Sequence, residues 1–363
     1  MLMVIQLDES KLTPGVRKAF KKDAKRTMKY ALFYCFKARM SISKLKGLTN
    51  KVAAFGDSLY NSRKLDIEGF NMLFSRSDVD VSVKFFRHVI DKLALDDARK
   101  YKFPENVRFE KTNAEGVNAE WQIVPGVSED KVLLYFHGGG LLFGSAMNVR
   151  PFTVDLARKA KVRVLSVDYR LYPEHMSPAQ IDDAFAAYTW LLREGIKPSN
   201  VIIGGDSAGG LLTMQLLTRL RDTGEQLPAG AICVSPLIDL TFYNDSFYSN
   251  MKTETNGPNG LLALACCLHR ILDKNIDPTD PAMNPQYASL ADLPPLLVQA
   301  VSNEMLYGDA CRLVEKARAD GVDVTLQTWN GMFHDFQAAG VDRFPEMRDA
   351  KQKLVEFIVN HLV

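Results

Sequence analysis

The chain has 363 residues, of which 47% are hydrophobic and 24% are charged, and its formal net charge is +2. This balance excludes disordered, collagen-like and coiled-coil proteins, and it gives the whole chain no bias toward polyanions. The five cysteines include no C-x-x-C pair, so neither a disulfide framework nor a zinc site is predicted. No apolar run reaches the roughly 18 residues of a membrane span, and the N-terminus does not resemble a signal peptide. We therefore expect a cytoplasmic protein.

Residues 1–104 are predicted to be a helical N-terminal region that forms part of a cap. Residues 1–64 hold 15 lysines and arginines but only four acidic residues, a local net charge of +11. A basic helix of this kind is either the solvated outer face of a cap, which we favour, or a weak peripheral contact with an anionic membrane surface. Nucleic acid is not expected as a partner, because no recognised binding module is present. The basic side chains of this helix are Lys18, Lys21, Lys22, Lys25, Arg26 and Lys29.

Residues 105–363 are predicted to form an α/β domain with a mostly parallel sheet and helices on both faces. Short apolar runs alternate with amphipathic helices, which is the pattern of a sheet buried on both sides. About 60 residues separate the apolar run at 231–234 from the one at 296–301, which is far more than a usual connection. A second cap segment is therefore predicted at about 241–290, with a helix over 260–272. The predicted strands are 107–111, 119–123, 132–136, 162–167, 201–203, 231–234, 296–301 and 322–328.

Residues 205–209 read Gly-Asp-Ser-Ala-Gly and lie between an apolar strand and an apolar helix. G-x-S-x-G in this setting is typical of a nucleophile elbow, a tight turn that raises the serine hydroxyl above the sheet. We therefore predict Ser207 as the nucleophile. A phosphate-binding loop is the alternative, but neither glycine cluster matches the patterns of such loops.

Residues 137–140 read His-Gly-Gly-Gly and follow the apolar strand at 132–136. Consecutive glycines let a substrate approach the backbone closely, and their N–H groups can stabilise the oxyanion of acyl transfer. The residue after the nucleophile usually adds another donor. His137 is expected to hold this loop rather than to act as a base. The predicted oxyanion-hole donors are Gly138, Gly139, Gly140 and Ala208.

The general base and its acid are expected after the nucleophile in the chain, because that is the order in this fold class. Three histidines follow Ser207, and His334 is predicted as the base because it comes directly after the last strand. The acid is expected on the loop after the strand at 296–301, which holds Glu304 and Asp309. Glu304 is favoured because it comes first, whereas Asp309 is the alternative and is expected to cap the next helix.

Together these motifs resemble those of the hormone-sensitive-lipase-like family of α/β-hydrolase esterases. The segments at 137–140 and 205–210 match the two signatures of that family, and Tyr-Arg-Leu-Tyr-Pro-Glu-His at 169–175 is similar to a third. The resemblance covers roughly residues 107–363 and implies an α/β-hydrolase fold, a cap that shapes the pocket, and ester hydrolysis through a serine acyl-enzyme. Two departures are Glu304-Met-Leu in place of the usual Asp-Pro-Leu and a longer N-terminal region.

The predicted function is hydrolysis of small-molecule esters with short- to medium-chain acyl groups, by a triad of Ser207, His334 and Glu304. A non-catalytic receptor on the same fold is one alternative, although the presence of both Ser207 and His334 favours catalysis. An amide or N-acyl hydrolase is the other, because the same triad serves that chemistry. No ligand pattern for a metal is present, and neither a metal nor a cofactor is expected. A homodimer is left open.

Overall fold

The computed structural model describes residues 8–38, 40–62, 72–254, 277–340 and 342–362. These residues form one eight-stranded sheet. Its strands are β1 (Arg108–Ala114), β2 (Val117–Ile123), β3 (Val132–Phe136), β4 (Arg163–Asp168), β5 (Val201–Asp206), β6 (Gly230–Val234), β7 (Leu296–Val301) and β8 (Val324–Trp329).

Helices precede the sheet and connect its strands. They are α1 (Pro14–Lys37), α2 (Ile42–Ser62), α3 (Arg76–Lys100), α4 (Ala146–Ala160), α5 (Ala179–Arg193), α6 (Ala208–Thr223), α7 (Asp245–Ser249), α8 (Tyr307–Ala319) and α9 (Pro345–His361). None of the described helices is both long enough and apolar enough to cross a membrane. The helix predicted at 260–272 lies outside the described residues.

The strand order is β1-β2-β4-β3-β5-β6-β7-β8, and every pairing from β4 to β8 is parallel. β1 and β2 pair antiparallel, because Glu115 and Gly116, both with positive φ, close a two-residue hairpin between them. β2 also pairs antiparallel with β4. Every residue of β3, β5, β6 and β7 is buried, as expected for central strands covered on both faces. The predicted mostly parallel α/β sheet is confirmed.

The core lies on both faces of the sheet. Leu134 and Phe136 of β3 pack with α5, α6 and α8, whereas the alternate residues Leu133 and Tyr135 pack with α4 and α9. Each fully buried leucine or phenylalanine contributes on the order of 1.5–3 kcal/mol of transfer free energy. This two-sided burial fixes the register of β3 and therefore the height at which the glycine loop leaves it.

The N-terminal helices pack on one another and on the catalytic region. α1 starts at Pro14 after Thr13, whose hydroxyl caps the helix, and Ala31 and Cys35 bury its inner face against Phe85 and Val89 of α3. α3 starts with a capping box formed by Ser75 and Asp78. The assignment of these helices to a cap, and the boundary near residue 104, stay predictions.

Candidate active site

The predicted nucleophile lies on a strained turn between β5 and α6. Ser207 has φ +52° and ψ −115°, a conformation that costs on the order of 1–3 kcal/mol for a residue with a side chain. The surroundings hold it there: the Ser207 N–H donates to Val234 O at 2.8 Å, and the Leu237 N–H donates to Ser207 O at 3.0 Å. The turn therefore sets the serine at the N-terminus of α6, where the helix dipole favours developing negative charge.

Close backbone packing explains the glycines on either side of this serine. A Cβ on Gly205 would collide with the backbone of Gly209, and a Cβ on Gly209 would collide with the Phe136 carbonyl. Both contacts would be closer than any real Cβ contact, so the elbow can approach β3 only with glycine at these two positions.

The predicted base and acid lie on neighbouring loops after β8 and β7. His334 Nδ1 and Glu304 Oε2 are 2.7 Å apart, and Glu304 Oε1 accepts the Val301 N–H at 2.9 Å. Glu304 is 1% exposed, so its carboxylate is held entirely by protein partners. A carboxylate at Nδ1 is the contact by which the acid of a triad fixes the tautomer of the imidazole.

Asp309, the alternative acid, faces a different part of the fold. Its carboxylate accepts the backbone N–H groups of Ile238 at 2.8 Å and Asp239 at 3.0 Å, and the side-chain amide of Asn244 at 2.5 Å. The expectation that Asp309 caps its own helix is wrong, because α8 begins two residues earlier and the side chain holds the loop after β6 instead. Burial raises the pKa of Asp309 to about 7.

The position of His334 relative to Ser207 is set by the loop after β6. The Asp335 N–H donates to Ser235 Oγ at 3.4 Å, and the neighbouring Val234 and Leu237 hold the backbone of Ser207. Within the described residues His334 makes no hydrogen bond to Ser207 Oγ; its Nε2 lies 3.1 Å from Asp335 Oδ2. The structure thus joins Glu304 directly to His334, and it connects Ser207 to the His334 loop through the loop after β6 and the Ser235 hydroxyl.

The charge state of His334 depends on its two acidic neighbours. Burial alone would lower the pKa of His334, but Asp335 and Glu304 outweigh burial and raise this pKa well above the usual histidine range. Sequence reasoning missed Asp335, although it directly follows His334 in the chain. Its position next to the predicted base was the signal that could have identified it.

The glycine loop is held by its histidine, as expected. The His137 ring stacks on the Tyr169 ring with centroids 4.3 Å apart, the Tyr169 hydroxyl donates to His137 O at 2.6 Å, and His137 Nδ1 lies 2.7 Å from Gly138 O. Gly139 and Gly140 both have positive φ, at +116° and +61°, which favours glycine. The segment at 169–175 that resembles a family motif therefore supports this loop.

One of the predicted oxyanion donors is engaged elsewhere. The Gly138 N–H donates to Asp206 Oδ2 at 3.0 Å, so it is directed at a buried carboxylate and not at a substrate. The prediction of Gly138 as an oxyanion donor is therefore wrong. Gly139, Gly140 and Ala208 stay predictions.

Asp206 joins the elbow to the glycine loop. Its Oδ1 accepts the Tyr135 hydroxyl at 2.6 Å while its Oδ2 accepts the Gly138 N–H. Burial and the nearby Asp335 raise the pKa of Asp206 to about 7. Sequence reasoning missed this residue because it occupies a variable position of G-x-S-x-G.

One group of potential metal ligands occurs within the part of the chain that the structure describes. Atoms of Glu254, Glu304 and His334 lie within 4.8 Å of one another. Two of the three already share the 2.7 Å hydrogen bond, and a Glu254 oxygen accepts the Met305 N–H at 3.4 Å. The set therefore coincides with the predicted acid and base, and the expectation of no metal stays a prediction.

The chain is similar to several known proteins. The family model described as alpha/beta hydrolase fold matches residues 133–338. An esterase from Acinetobacter venetianus is 35% identical over 283 residues, covering 77% of this chain and 90% of that protein. An acetyl-hydrolase from Streptomyces hygroscopicus is 38% identical over 219 residues, covering 60% of this chain and 71% of that protein. The crystal structure of an esterase from the bacterial hormone-sensitive lipase family superposes with a TM-score of 0.72 at 32% identity, covering 86% of this chain and 98% of that one.

Proposed function

Because this chain belongs to the hormone-sensitive-lipase-like family of α/β-hydrolase esterases and is a carboxylic-ester hydrolase, we propose that Ser207, His334 and Glu304 form its catalytic triad. The observation that carries the proposal is the 2.7 Å contact between His334 Nδ1 and the buried Glu304 carboxylate. The positive φ of Ser207 on its tight turn supports the choice of nucleophile. The substrates are small-molecule esters, and we propose short- to medium-chain acyl groups.

In the proposed mechanism, His334 Nε2 takes the proton of Ser207 Oγ while this oxygen attacks the ester carbonyl carbon. The carbonyl oxygen becomes an oxyanion and accepts hydrogen bonds from the N–H groups of Gly139, Gly140 and Ala208. Collapse breaks the bond to the alcohol, which leaves with the proton from His334. Water then attacks the acyl-serine by the same route and releases the acid. Glu304 stabilises the imidazolium that forms in each half of the reaction.

A fluorophosphonate probe combined with a chromogenic ester series tests this function. We expect the probe to label the peptide that contains Ser207, and we expect p-nitrophenyl esters from acetate to octanoate to be hydrolysed faster than the palmitate ester. The corresponding p-nitroanilides should be cleaved far more slowly than the esters. A probe adduct on another serine, or anilides cleaved as fast as esters, would contradict the proposal.

The pH dependence of kcat/KM should report the carboxylates around His334. The imidazole must be neutral to accept a proton, so activity should rise with pH through the raised pKa of His334, above the usual histidine range. Asp335→Asn removes one of the two charges that raise this pKa, so the acidic limb of the profile should move to lower pH. Asp323→Asn, at an exposed position just before β8, is the matched control and should leave the limb in place. An unchanged limb in Asp335→Asn would contradict this account.

The same proposal assigns residues 1–104 and the insertion at about 241–290 to a cap over the site. Two contacts support the first assignment: Arg87 of α3 donates to Leu142 O at 2.6 Å beside the glycine loop, and the Thr13 N–H donates to Gly331 O at 3.2 Å on the His334 loop. We also propose a cytoplasmic location, a peripheral membrane contact and a homodimer. The mass of the protein in solution tests the homodimer.

A further inference from the structure

The outer face of α1 is a continuous stripe of exposed side chains. Its members are spaced by three or four residues, which places them on one side of the helix. Every one of them is exposed to solvent. From the first member to the last, the stripe runs about 27 Å along the helix axis. The α1 outer face consists of Lys18, Lys21, Lys22, Lys25, Lys29, Leu32, Phe33 and Phe36.

The opposite side of α1 already satisfies the packing of the helix. Arg26 turns inward, where its guanidinium lies 3.0 Å from Asp97 and 3.0 Å from Asp23. Ala31 and Cys35 are buried against α3. Arg26 therefore does not belong to the basic stripe with which the sequence groups it. The packing of α1 does not require its outer face to be basic, and of the apolar members Phe33 stacks on His88 of α3.

The first part of the outer face carries positive charge that is mostly uncompensated. Lys18, Lys22 and Lys25 form no ion pair with any carboxylate of the described residues, and Lys21 pairs only with the surface residue Glu9 at 3.2 Å. Asp23 is the one acidic residue in this stretch of sequence, and it is engaged by Arg26 and Arg343. Lysines at this spacing repel one another, so an anionic surface would relieve the repulsion.

The last turn of the outer face is apolar and exposed. Phe36 is 85% exposed, Phe33 50% and Leu32 46%. Single exposed apolar residues are ordinary, but here three of them continue a lysine stripe on the same helix face. Lysines followed by bulky apolar side chains are typical of a helix that lies in a membrane interface, where headgroup phosphates bind the lysines and the apolar groups enter the acyl boundary.

We infer that the α1 outer face binds the surface of a membrane that contains anionic phospholipid. A nucleic acid would engage the lysines but leave Leu32, Phe33 and Phe36 in water. A second copy of the chain would cover these apolar groups but bring two lysine-rich faces of like charge together. An anionic lipid surface complements both parts of the stripe. This role is separate from the proposed triad, since none of its residues belongs to the active site.

Co-sedimentation of the full chain with vesicles tests this inference. We expect binding to vesicles of phosphatidylglycerol and phosphatidylcholine, little binding to phosphatidylcholine alone, and release as salt rises. The variant Lys18→Gln/Lys22→Gln/Lys25→Gln should lower the partition coefficient by about 100-fold, because each lysine near an anionic surface strengthens binding by a factor of about five. Leu32→Ser/Phe36→Ser should also weaken binding; Phe33 is kept because its ring stacks on His88.

The matched control is Lys102→Gln/Lys111→Gln/Lys197→Gln, which removes three exposed lysines from other surfaces and should bind as the wild type does. Hydrolysis of a water-soluble ester should be unchanged in all three variants, which shows that they fold and separates this test from that of the triad. The inference is overturned if the wild-type chain ignores anionic vesicles, or if the control weakens binding equally. It is also overturned if duplex DNA or RNA binds more tightly than the vesicles, or if Leu32→Ser/Phe36→Ser converts a wild-type dimer into a monomer.

Discussion

Ser207→Ala is expected to lower kcat for ester hydrolysis by a factor on the order of 10⁶, because it removes the oxygen that forms the acyl-enzyme. A small residual rate should persist, since the oxyanion donors and the pocket still bind the transition state. Steady-state kinetics on a p-nitrophenyl ester measures the loss, and the fluorophosphonate probe should no longer label the protein.

Ser302→Ala provides the matched control, because Ser302 lies on the loop after β7 and its hydroxyl bonds only to Asn330 at 3.0 Å among the described residues. It should keep nearly full activity. The positive φ of Ser207 disfavours alanine about as much as serine, so both variants should unfold near the wild-type temperature. Near-wild-type activity in pure Ser207→Ala would remove this residue from the mechanism.

Glu304→Ala is expected to lower kcat by about 10³–10⁴, because His334 loses the partner that fixes its tautomer and stabilises its positive charge. Asp309→Ala should act differently. It leaves the N–H groups of Ile238 and Asp239 without their buried acceptor, at a cost of about 1–3 kcal/mol of unfolding free energy for each, while the folded fraction keeps its kcat.

Chemical denaturation and kinetics on the same two preparations separate these outcomes. The structure supports the choice of Glu304 over Asp309, since only Glu304 contacts His334. An active Glu304→Ala enzyme beside a folded but inactive Asp309→Ala enzyme would transfer the acid to Asp309 and refute the proposed triad.

Much of the sheet could be predicted, because its central strands are short apolar runs with sharp ends. The predicted strands 132–136 and 296–301 coincide with β3 and β7. The antiparallel entry of β2 could not be predicted from apolar patterns, since it depends on the backbone conformation of Glu115 and Gly116. The hydrophobic pattern of a strand indicates how it is buried, whereas the direction of the strand depends on the turn before it.

The site divides in the same way. Ser207 and His334 could be proposed because a tight turn and the end of a strand can both be recognised from neighbouring residues in the sequence. The partners of Gly138 and Asp309 could not, because each lies about 70 residues away and the fold alone brings them together. A glycine loop predicts that N–H groups are exposed as it leaves the strand, but only the tertiary position of Asp206 decides where one of them points.

The start of α1 has a consequence for how separable the two parts of this chain are. Leu12 and Val16 pack with Met332 and Phe336, and the Thr13 N–H is bonded to Gly331 on the loop that carries His334. A shortened enzyme limited to residues 107–363 would lack the contacts that these N-terminal residues make with the His334 loop. The basic helix therefore cannot be removed or transferred to another protein without affecting the His334 loop. Substitutions in the helix and in that loop must preserve the packing between them.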